Sequence, residues 1–194
     1  MIQSRQQLNE VLAADAKANY RKNTSTKLLG DEIWKFLLAM RKLDFYSYAK
    51  HKNIICFIPW LFYKFRYHHL SMKLGYSIPY DVCGQGLGLM HYGTIVINGS
   101  ARLGKNCKVH VCVNIGATSG KGGAPQIGNN VYIGPGTQIV GNISIADGVC
   151  IGAGSVVVKS IDEPNTTWAG TPARKISDKS SYCHLSPMLF EKEY

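Results

Sequence analysis

The sequence lacks an apolar run long enough to cross a membrane. Its longest candidate is the stretch of ten residues from Ile54 to Tyr63, which Pro59 interrupts. A transmembrane helix needs about 20 predominantly apolar residues. The N-terminal residues also lack the apolar core of a secretory signal peptide. These two absences predict a cytoplasmic protein that does not span a membrane.

Paired cysteine spacing is also missing. No two of the six cysteines are arranged as CxxC, the spacing that marks many zinc and redox sites. We predict free, reduced thiols, as is usual in the cytoplasm, with Cys107 and Cys150 as small buried side chains. His91 and His110 are the histidines of the repeat region described below, and they lack a third partner there, so no metal site is predicted.

Acidic residues are scarce. The chain has 12 Asp and Glu against 22 Lys and Arg, for a formal charge of +10. Residues 1–70 alone carry twelve basic and five acidic side chains. No nucleic-acid-binding motif accompanies this charge, so we expect no nucleic-acid partner. An anionic membrane surface or an anionic substrate explains the basic segment better.

An aliphatic residue recurs at every sixth position of the second half of the chain, and a small residue usually follows it. Neither the helix period of 3.6 nor the strand period of 2 sustains a period of six. Hexapeptide repeats are typical of β-helices, in which six residues form one flat side of a prism and three sides form one coil. The pattern therefore predicts a mainly β protein built as a parallel β-helix. The column comprises Ile97, Leu103, Val109, Ile115, Ile127, Ile133, Ile139, Ile145, Ile151 and Val157.

The N-terminal quarter of the chain is predicted to be helical. Residues 5–50 contain good helix formers and are interrupted at Thr24–Ser25–Thr26, so a second helix is predicted to start near Asp31. Its apolar face comprises Ile33, Phe36, Leu37, Met40 and Leu43.

Residues 50–66 combine aromatic and basic side chains and leave two interpretations open. The mixture suits the interface of a membrane, which for a cytoplasmic protein is its inner face. It also suits a helix that packs on the first coil or on a neighbouring subunit. We divide the chain into a helical segment at 1–74, a β-helix at 75–176 and a tail at 177–194. The tail is predicted to be a short helix or a disordered end.

The hexad register breaks at residues 117–126, ATSGKGGAPQ, where Ile115 and Ile127 lie two periods apart. A glycine-rich excursion from a regular solenoid often carries function. We therefore expect the loop, including Lys121, to border the functional site. The alternative is a solvated corner loop.

Three stretches resemble a known family: GLGLMHYGTIVINGSARLGKNC, then NIGATSGKGGAPQIGNNVYIGPGTQIVGNISIADGVCIGAGSVV, then WAGTPAR. Together they resemble the serine acetyltransferase group of the left-handed β-helix acyltransferases. The short N-terminal segment is similar to that of the compact capsule and exopolysaccharide acetyltransferases. The resemblance implies acetyl-CoA as the donor, a hydroxyl as the acceptor, and a homotrimer with active sites between prisms. Two trimers could pair through the helical segment.

His91 matches the catalytic histidine of this family, which implies a general base that activates the acceptor hydroxyl for direct attack, without an acyl-enzyme. The alternative is a structural role, because His91 lies six residues before Ile97 and so falls nominally in the inward column. An irregular first coil would reconcile the two. His110 lies one coil and one residue further on, and we expect it near His91.

Two positions depart from the family's amino-acid-utilising enzymes. Tyr76 stands where they carry an aspartate fifteen residues before the histidine, and Ala124 where they carry a second histidine. Both losses disfavour free serine, because a polar site discriminates through its polar groups. We therefore predict a sugar hydroxyl of a surface polysaccharide as acceptor, with L-serine as the alternative and a non-catalytic trimeric scaffold as the other class. Tyr76, Asp81 and Ala124 are candidates for orienting the imidazole or for an acceptor-side role, although for Asp81 a turn residue is the simpler interpretation.

The donor site is implied by the same resemblance. Flat coils with glycines let a long ligand lie close to the backbone, and Lys159, Arg174 and Lys175 could meet the phosphates of CoA. Each glycine could equally serve only to turn a prism corner. The matching groove positions are Gly134, Pro135, Gly152, Ala153 and Gly154.

Overall fold

The computed structural model describes residues 1–118 and 122–190. Its helices agree with the pattern predicted for the N-terminal quarter, since two of them flank the break at residues 24–26 and the second follows Asp31 as its N-cap. The helices are α1 (Arg5–Ala18), α2 (Glu32–Ala49) and α3 (Phe57–Leu74), with short 3-10 helices at Ile54–Cys56, Ser181–His184 and Pro187–Leu189.

Helix α2 is the buried centre of the helical segment. Phe36, Leu37 and Met40 are fully buried and Leu43 nearly so, which confirms most of the predicted apolar face, whereas Ile33 is only partly buried. Pro59 does not break the following segment. It lies in the first turn of α3, where a proline costs no intrahelical hydrogen bond.

The rest of the chain winds into a prism with three sheets as its sides. The sheets have the strand orders β1-β3-β6-β9-β12, β4-β7-β10 and β2-β5-β8-β11-β13-β14. All pairs are parallel except β13 with β14. The fold is thus the predicted left-handed β-helix with an N-terminal helical segment. The strands are β1 (Tyr76–Ser77), β2 (Gly88–Leu89), β3 (Ile95–Ile97), β4 (Arg102–Leu103), β5 (Lys108–Val109), β6 (Val113–Gly116), β7 (Gln126–Ile127), β8 (Tyr132–Ile133), β9 (Gln138–Val140), β10 (Ser144–Ile145), β11 (Cys150–Ile151), β12 (Val156–Val157), β13 (Thr167–Ala169) and β14 (Arg174–Ser177).

The hexad column forms the interior of the prism. All ten of its residues are at most 5% exposed, as the sequence predicts. The small residues that follow the column are needed because the coils stack closely. At Gly104, for example, an added Cβ would lie 2.5 Å from the carbonyl oxygen of Gly128 in the next coil.

Two insertions break the regular register. Leu103 pairs with Ile127, twenty-four residues on, whereas Ile127 pairs with Ile145, eighteen residues on. The predicted excursion after Ile115 therefore adds six residues to one coil, and its Lys121 lies outside the described residues. In the first coil, Leu89 pairs with Val109 and Ile97 with Ile115. The spacing from Leu89 to Ile97 is consequently eight residues instead of six.

The described part of the C-terminal tail contains two 3-10 helices. It therefore agrees with the first of the two predicted alternatives, a short helix. The backbone N–H of Ser181 donates to Gly148, and its hydroxyl donates to the carbonyl of Asn130. These contacts lie far apart in sequence, so the local pattern of the tail could not predict them.

Cys107 and Cys150 are buried, as predicted. Burial raises the pKa of the Cys107 thiol to about 12, so this thiol is protonated at neutral pH and serves as a packing group. Over the described ranges, we find no helix with both the length and the hydropathy that a bilayer span requires.

A buried ion pair fastens the helices to the first coil. The Arg41 Nε of α2 donates to the Asp15 carboxylate of α1 at 2.8 Å, and both side chains are almost fully buried. Asp15 also accepts from the backbone N–H groups of Gly86 and Leu87. Arg41 donates to the carbonyl oxygens of Cys83 and Gly84. This cluster fixes the position of β2, which leads into the candidate site.

Candidate active site

His91 lies on the surface of the first coil, two residues after β2. The two-residue insertion between Leu89 and Ile97 moves His91 out of the inward column, so its nominal place inside the prism was wrong and the irregular first coil is confirmed. The turn is held by the N–H of Gly93, which donates to the carbonyl of Leu74 at 3.0 Å. Gly93 has φ +130°, and a Cβ there would lie 2.4 Å from the Val111 Cγ2.

The side chain of Tyr76 supports the backbone of His91. Its hydroxyl donates to the carbonyl oxygen of His91 at 2.7 Å, and its ring packs edge-on against Phe36 with centroids 5.1 Å apart. Tyr76 is buried, and burial raises the pKa of its hydroxyl, so it remains a protonated donor. Of the two roles left open for Tyr76, orienting the histidine or contacting the acceptor, this hydrogen bond supports the orienting role, exerted through the His91 main chain.

For the general base that the resemblance implies at His91, we expect Tyr76→Phe to lower kcat by about threefold to tenfold without changing the KM for the implied donor, because loss of one positioning hydrogen bond displaces the imidazole. Stability should fall by about 1 kcal/mol, the usual contribution of one hydrogen bond. Steady-state kinetics and urea denaturation measure both effects. Tyr92→Phe is the matched control, since Tyr92 is exposed. Equal kinetics for the two variants would contradict a positioning role for Tyr76.

His110 is the nearest imidazole to His91, as predicted from the coil length. The two ring centroids are 6.0 Å apart, and His110 in turn lies 5.2 Å from the ring of Tyr132. His110 is half-buried, and this burial, with smaller effects from the charges of Lys108, His91 and His184, lowers its pKa below 6.5. A neutral imidazole at this point can donate one hydrogen bond and accept another.

NMR titration of the His110 imidazole should therefore give a pKa below 6.5, with the resonance assigned by its disappearance in His110→Gln. Because the folded-state pKa is lowered, protonation favours the unfolded chain. The stabilisation from neutral His110 is thus lost as the pH falls below 6.5. A measured pKa at or above 6.5 would show that the ring is more hydrated than the structure indicates.

The sequence did not single out three neighbours of this pair. Lys108 is buried, and its Nζ donates to the hydroxyl of Tyr20 at 3.1 Å and to the carbonyl of His184 at 2.8 Å. The His184 and Tyr132 rings lie 4.7 Å apart. Lys108 and Tyr132 share a register, so the repeat could have placed both on this face. His184 of the tail reaches this face through contacts with Lys108 and Tyr132. These residues lie too far from it in sequence for the local pattern to predict the contacts.

Asp81 and Ala124 do not join His91. Asp81 is exposed at the turn before the prism, and its charge acts on Asp44, Tyr67 and Cys83. The turn interpretation therefore fits Asp81 better than an orienting role. Ala124 is 1% exposed within the hydrophobic core. Its small side chain packs inside the prism, so its interpretation as an acceptor-side residue is corrected.

The residues expected to bind the donor fall into two groups. Gly134 and Gly152 lie so close to the next coil that no side chain fits. A Cβ on Gly134 would lie 2.8 Å from the Ala153 nitrogen, and a Cβ on Gly152 would lie 3.0 Å from the Ala169 Cβ. Their glycine identity is therefore explained without a ligand. Ala153 and Gly154 are exposed, and Gly154 faces open space. The carbonyl of Pro135 accepts from Gly154, which fixes the shape of this edge.

Lys159 and Arg174 line one small cavity of about 130 Å³ together with Trp168 and Pro172. The structure thus brings two predicted phosphate-binding cations together at the C-terminal end of the prism. Lys175 is different, because its Nζ lies 2.5 Å from both Glu163 and Asp178. Those two carboxylates already neutralise Lys175, which makes it a poor phosphate ligand.

The potential metal ligands of the site do not converge. Within 1–118 and 122–190, no three His, Cys, Asp or Glu side chains are arranged to hold a metal ion. What the arrangement offers is an exposed imidazole with a fixed backbone, a second neutral imidazole beside it, and a cationic cavity further along the prism.

Comparison with known proteins gives the same fold and a consistent group of relatives. Residues 124–159 match the sequence model of the family Hexapep, bacterial transferase hexapeptide (six repeats). Serine acetyltransferase 3, mitochondrial, of Arabidopsis thaliana is 44% identical over 100 residues, which are 50% of this chain and 25% of that relative. Serine acetyltransferase of Escherichia coli strain K12 is 40% identical over 104 residues, which are 50% of this chain and 38% of that protein.

A solved structure extends the similarity to the helices. The serine acetyltransferase of Brucella abortus strain S19, in complex with coenzyme A, superimposes with a TM-score of 0.69 at 27% identity. The match covers 91% of this chain and 70% of that one. The chain nevertheless spans less than half the length of the two curated relatives above. The predicted closer similarity to capsule and exopolysaccharide enzymes is not confirmed. By its repeat, its fold and its relatives, the chain is similar to the serine acetyltransferase group of hexapeptide-repeat acyltransferases.

Proposed function

We propose that the protein is an acetyl-CoA-dependent O-acetyltransferase with His91 as general base. The observation that carries this proposal is the exposed His91 ring on the first coil, held through its backbone by Tyr76 and Gly93. A neutral imidazole is the side chain best suited to take a hydroxyl proton near pH 7. The relatives of this fold are named serine acetyltransferases, which supports acetyl transfer over the non-catalytic scaffold.

The reaction needs one proton transfer in each direction. His91 takes the proton of the acceptor hydroxyl as its oxygen attacks the thioester carbon. The C–O bond forms, the C–S bond breaks, and the departing sulfur receives the proton from the imidazolium. His110 is a neutral hydrogen-bonding group beside this site and can orient the acceptor.

The donor would be held along the prism edge. The open face of Gly154 and the exposed Ala153 allow a narrow amide-containing arm to approach the backbone. Lys159 and Arg174 supply positive charge for phosphate groups. The complex of the Brucella relative with coenzyme A supports this donor. Gly134, Pro135 and Gly152 would shape the edge without contacting the donor.

The comparisons favour L-serine as the acceptor over the sugar hydroxyl that the sequence predicts, because the relatives described above are serine acetyltransferases. One observation keeps a sugar hydroxyl as the second candidate. The Tyr76 hydroxyl donates to a backbone carbonyl, and Ala124 is buried. Neither position therefore offers a free polar side chain for binding serine. His110 is the available replacement for such a group.

Steady-state thiol release with serine, nucleotide sugars and oligosaccharides decides between these acceptors. We expect a serine kcat/KM above about 10⁴ M⁻¹s⁻¹, within the usual range of enzymes. A value far below this, together with a higher value for one of the sugars, would reverse the order of the two candidates.

Assembly as a homotrimer would complete the site between neighbouring prisms, because one prism face supplies few polar groups around His91. A dimer of trimers through the helical segment is compatible with this arrangement. A fully active monomer by light scattering would contradict the trimer. The free thiols and the acetyl-CoA donor accord with a cytoplasmic location.

A further inference from the structure

Helix α3 directs an apolar stripe towards solvent. Leu70 and Leu74 are its buried residues, whereas Ile58 and Met72 are each 74% exposed and Phe65 is 68% exposed. The exposed apolar residues recur at helical spacing and so share one side of the helix and of the 3-10 turn before it. An exposed apolar surface of this extent marks an interaction site. We define the α3 stripe as Ile54, Ile55, Ile58, Leu61, Phe62, Phe65 and Met72.

The surroundings of the stripe are strongly cationic. Between Phe45 and Tyr80 the chain has five Lys and Arg and no Asp or Glu, although Asp44 and Asp81 flank this stretch. Lys73 is paired with Glu32 at 3.3 Å, which leaves four cations. Lys50 and Lys64 both place their ammonium groups over the ring of Trp60, at 3.5 and 4.9 Å from its centroid. In the part of the chain that the structure describes, neither lysine is ion-paired with a carboxylate. Two ammonium groups therefore lie against Trp60 without a carboxylate to neutralise them.

These lysines border a groove between α2, α3 and the turn before the prism. The groove has a volume of about 390 Å³ and is separate from the His91 site. It presents two ammonium groups, an imidazole and the mutually hydrogen-bonded hydroxyls of Ser47 and Tyr80, which can donate to a phosphate group, whereas the Tyr67 hydroxyl donates to the carbonyl of Ile78. Its apolar wall is aromatic and aliphatic. The lining consists of Leu43, Ser47, Lys50, Trp60, Lys64, Tyr67, His68 and Tyr80.

We propose that the α3 stripe and this groove form a peripheral binding site for a bilayer that contains anionic phospholipid. The groove receives a headgroup phosphate, and the stripe enters the boundary of the acyl chains. Aromatic and basic side chains along the same helix suit a position at a membrane surface. A second copy of this chain is a poorer occupant, because pairing two such surfaces would place like charges against each other.

Vesicle co-sedimentation of the full chain tests the site. We expect binding to vesicles of phosphatidylcholine with phosphatidylglycerol at low salt, weaker binding at high salt, and little binding to phosphatidylcholine alone. Lys50→Gln with Lys64→Gln should lower the partition coefficient by about tenfold or more, because each lysine near an anionic surface contributes several-fold. Phe62→Ser with Phe65→Ser should remove the part of the binding that persists in salt.

Lys105→Gln with Lys179→Gln is the matched control, because it removes the same charge from exposed positions of the prism and tail. This control should change the partition coefficient by less than about twofold. Thiol release with a soluble acceptor should be unchanged in the groove variant, which shows that it is folded. Absence of binding at low salt would overturn the proposal, as would an equal loss in the control. A larger assembly that dissociates in the stripe variant, measured by light scattering, would assign the stripe to a second copy of the chain.

Discussion

Replacing His91 by asparagine should lower kcat by about 10²- to 10⁴-fold, the usual contribution of a general base. Asparagine keeps a polar side chain of similar reach but cannot take up a proton in the working pH range. The melting temperature should stay within the error of the measurement, because His91 is exposed and lies outside the packed column. Thiol release from acetyl-CoA and thermal unfolding measure the two quantities.

His51→Asn serves as the control for this variant, because His51 is exposed and lies outside the prism. It should retain full turnover. If folded His91→Asn protein also retained full turnover, His91 would have no part in the mechanism. Unfolding of the variant would instead support the structural role that the hexad count first suggested.

Arg41→Ala should destabilise the fold by about 3–5 kcal/mol, the cost of breaking a buried ion pair from one side. The substitution leaves the Asp15 carboxylate buried without its cation, and it removes the donors to Cys83 and Gly84. The helices and the first coil should loosen together, because this cluster joins them. Urea denaturation monitored by fluorescence gives the free energy of unfolding.

Arg5→Ala is the comparison for this experiment, since Arg5 is exposed at the start of α1 and surface substitutions change stability by about 0.5 kcal/mol or less. A loss of less than about 1 kcal/mol for Arg41→Ala would mean that water replaces the guanidinium, and that the cluster does not hold the helices to the prism.

The hexad column could be predicted from the sequence because each repeat is subject to the same local constraint. Stacked coils require an aliphatic residue inside and a small residue at the corner, and ten repeats leave few alternatives. Helix α2 was readable for a similar reason, since its apolar face recurs with the period of a helix and Asp31 marks its start.

Positions set by insertions or by distant contacts were not readable. His91 lies outside the inward column because two residues are inserted before Ile97. Counting back six residues from Ile97 assumes a regular repeat and therefore misses the insertion. Tyr76 was compared with a shorter acidic residue, yet its longer side chain reaches a backbone carbonyl. The exposure of α3 also depends on what packs beside it, which an apolar composition does not reveal.

Transfer of an acetyl group from acetyl-CoA to a hydroxyl is tested most directly by the stoichiometry of that transfer. The full chain is incubated with acetyl-CoA and L-serine, or with a sugar acceptor, and free CoA thiol and ester product are quantified together. We expect one acetyl ester for each thiol released, and we expect both products to be lost in His91→Asn. Thiol release without ester, or no acceptor-dependent release with any hydroxyl compound of the panel, would contradict it.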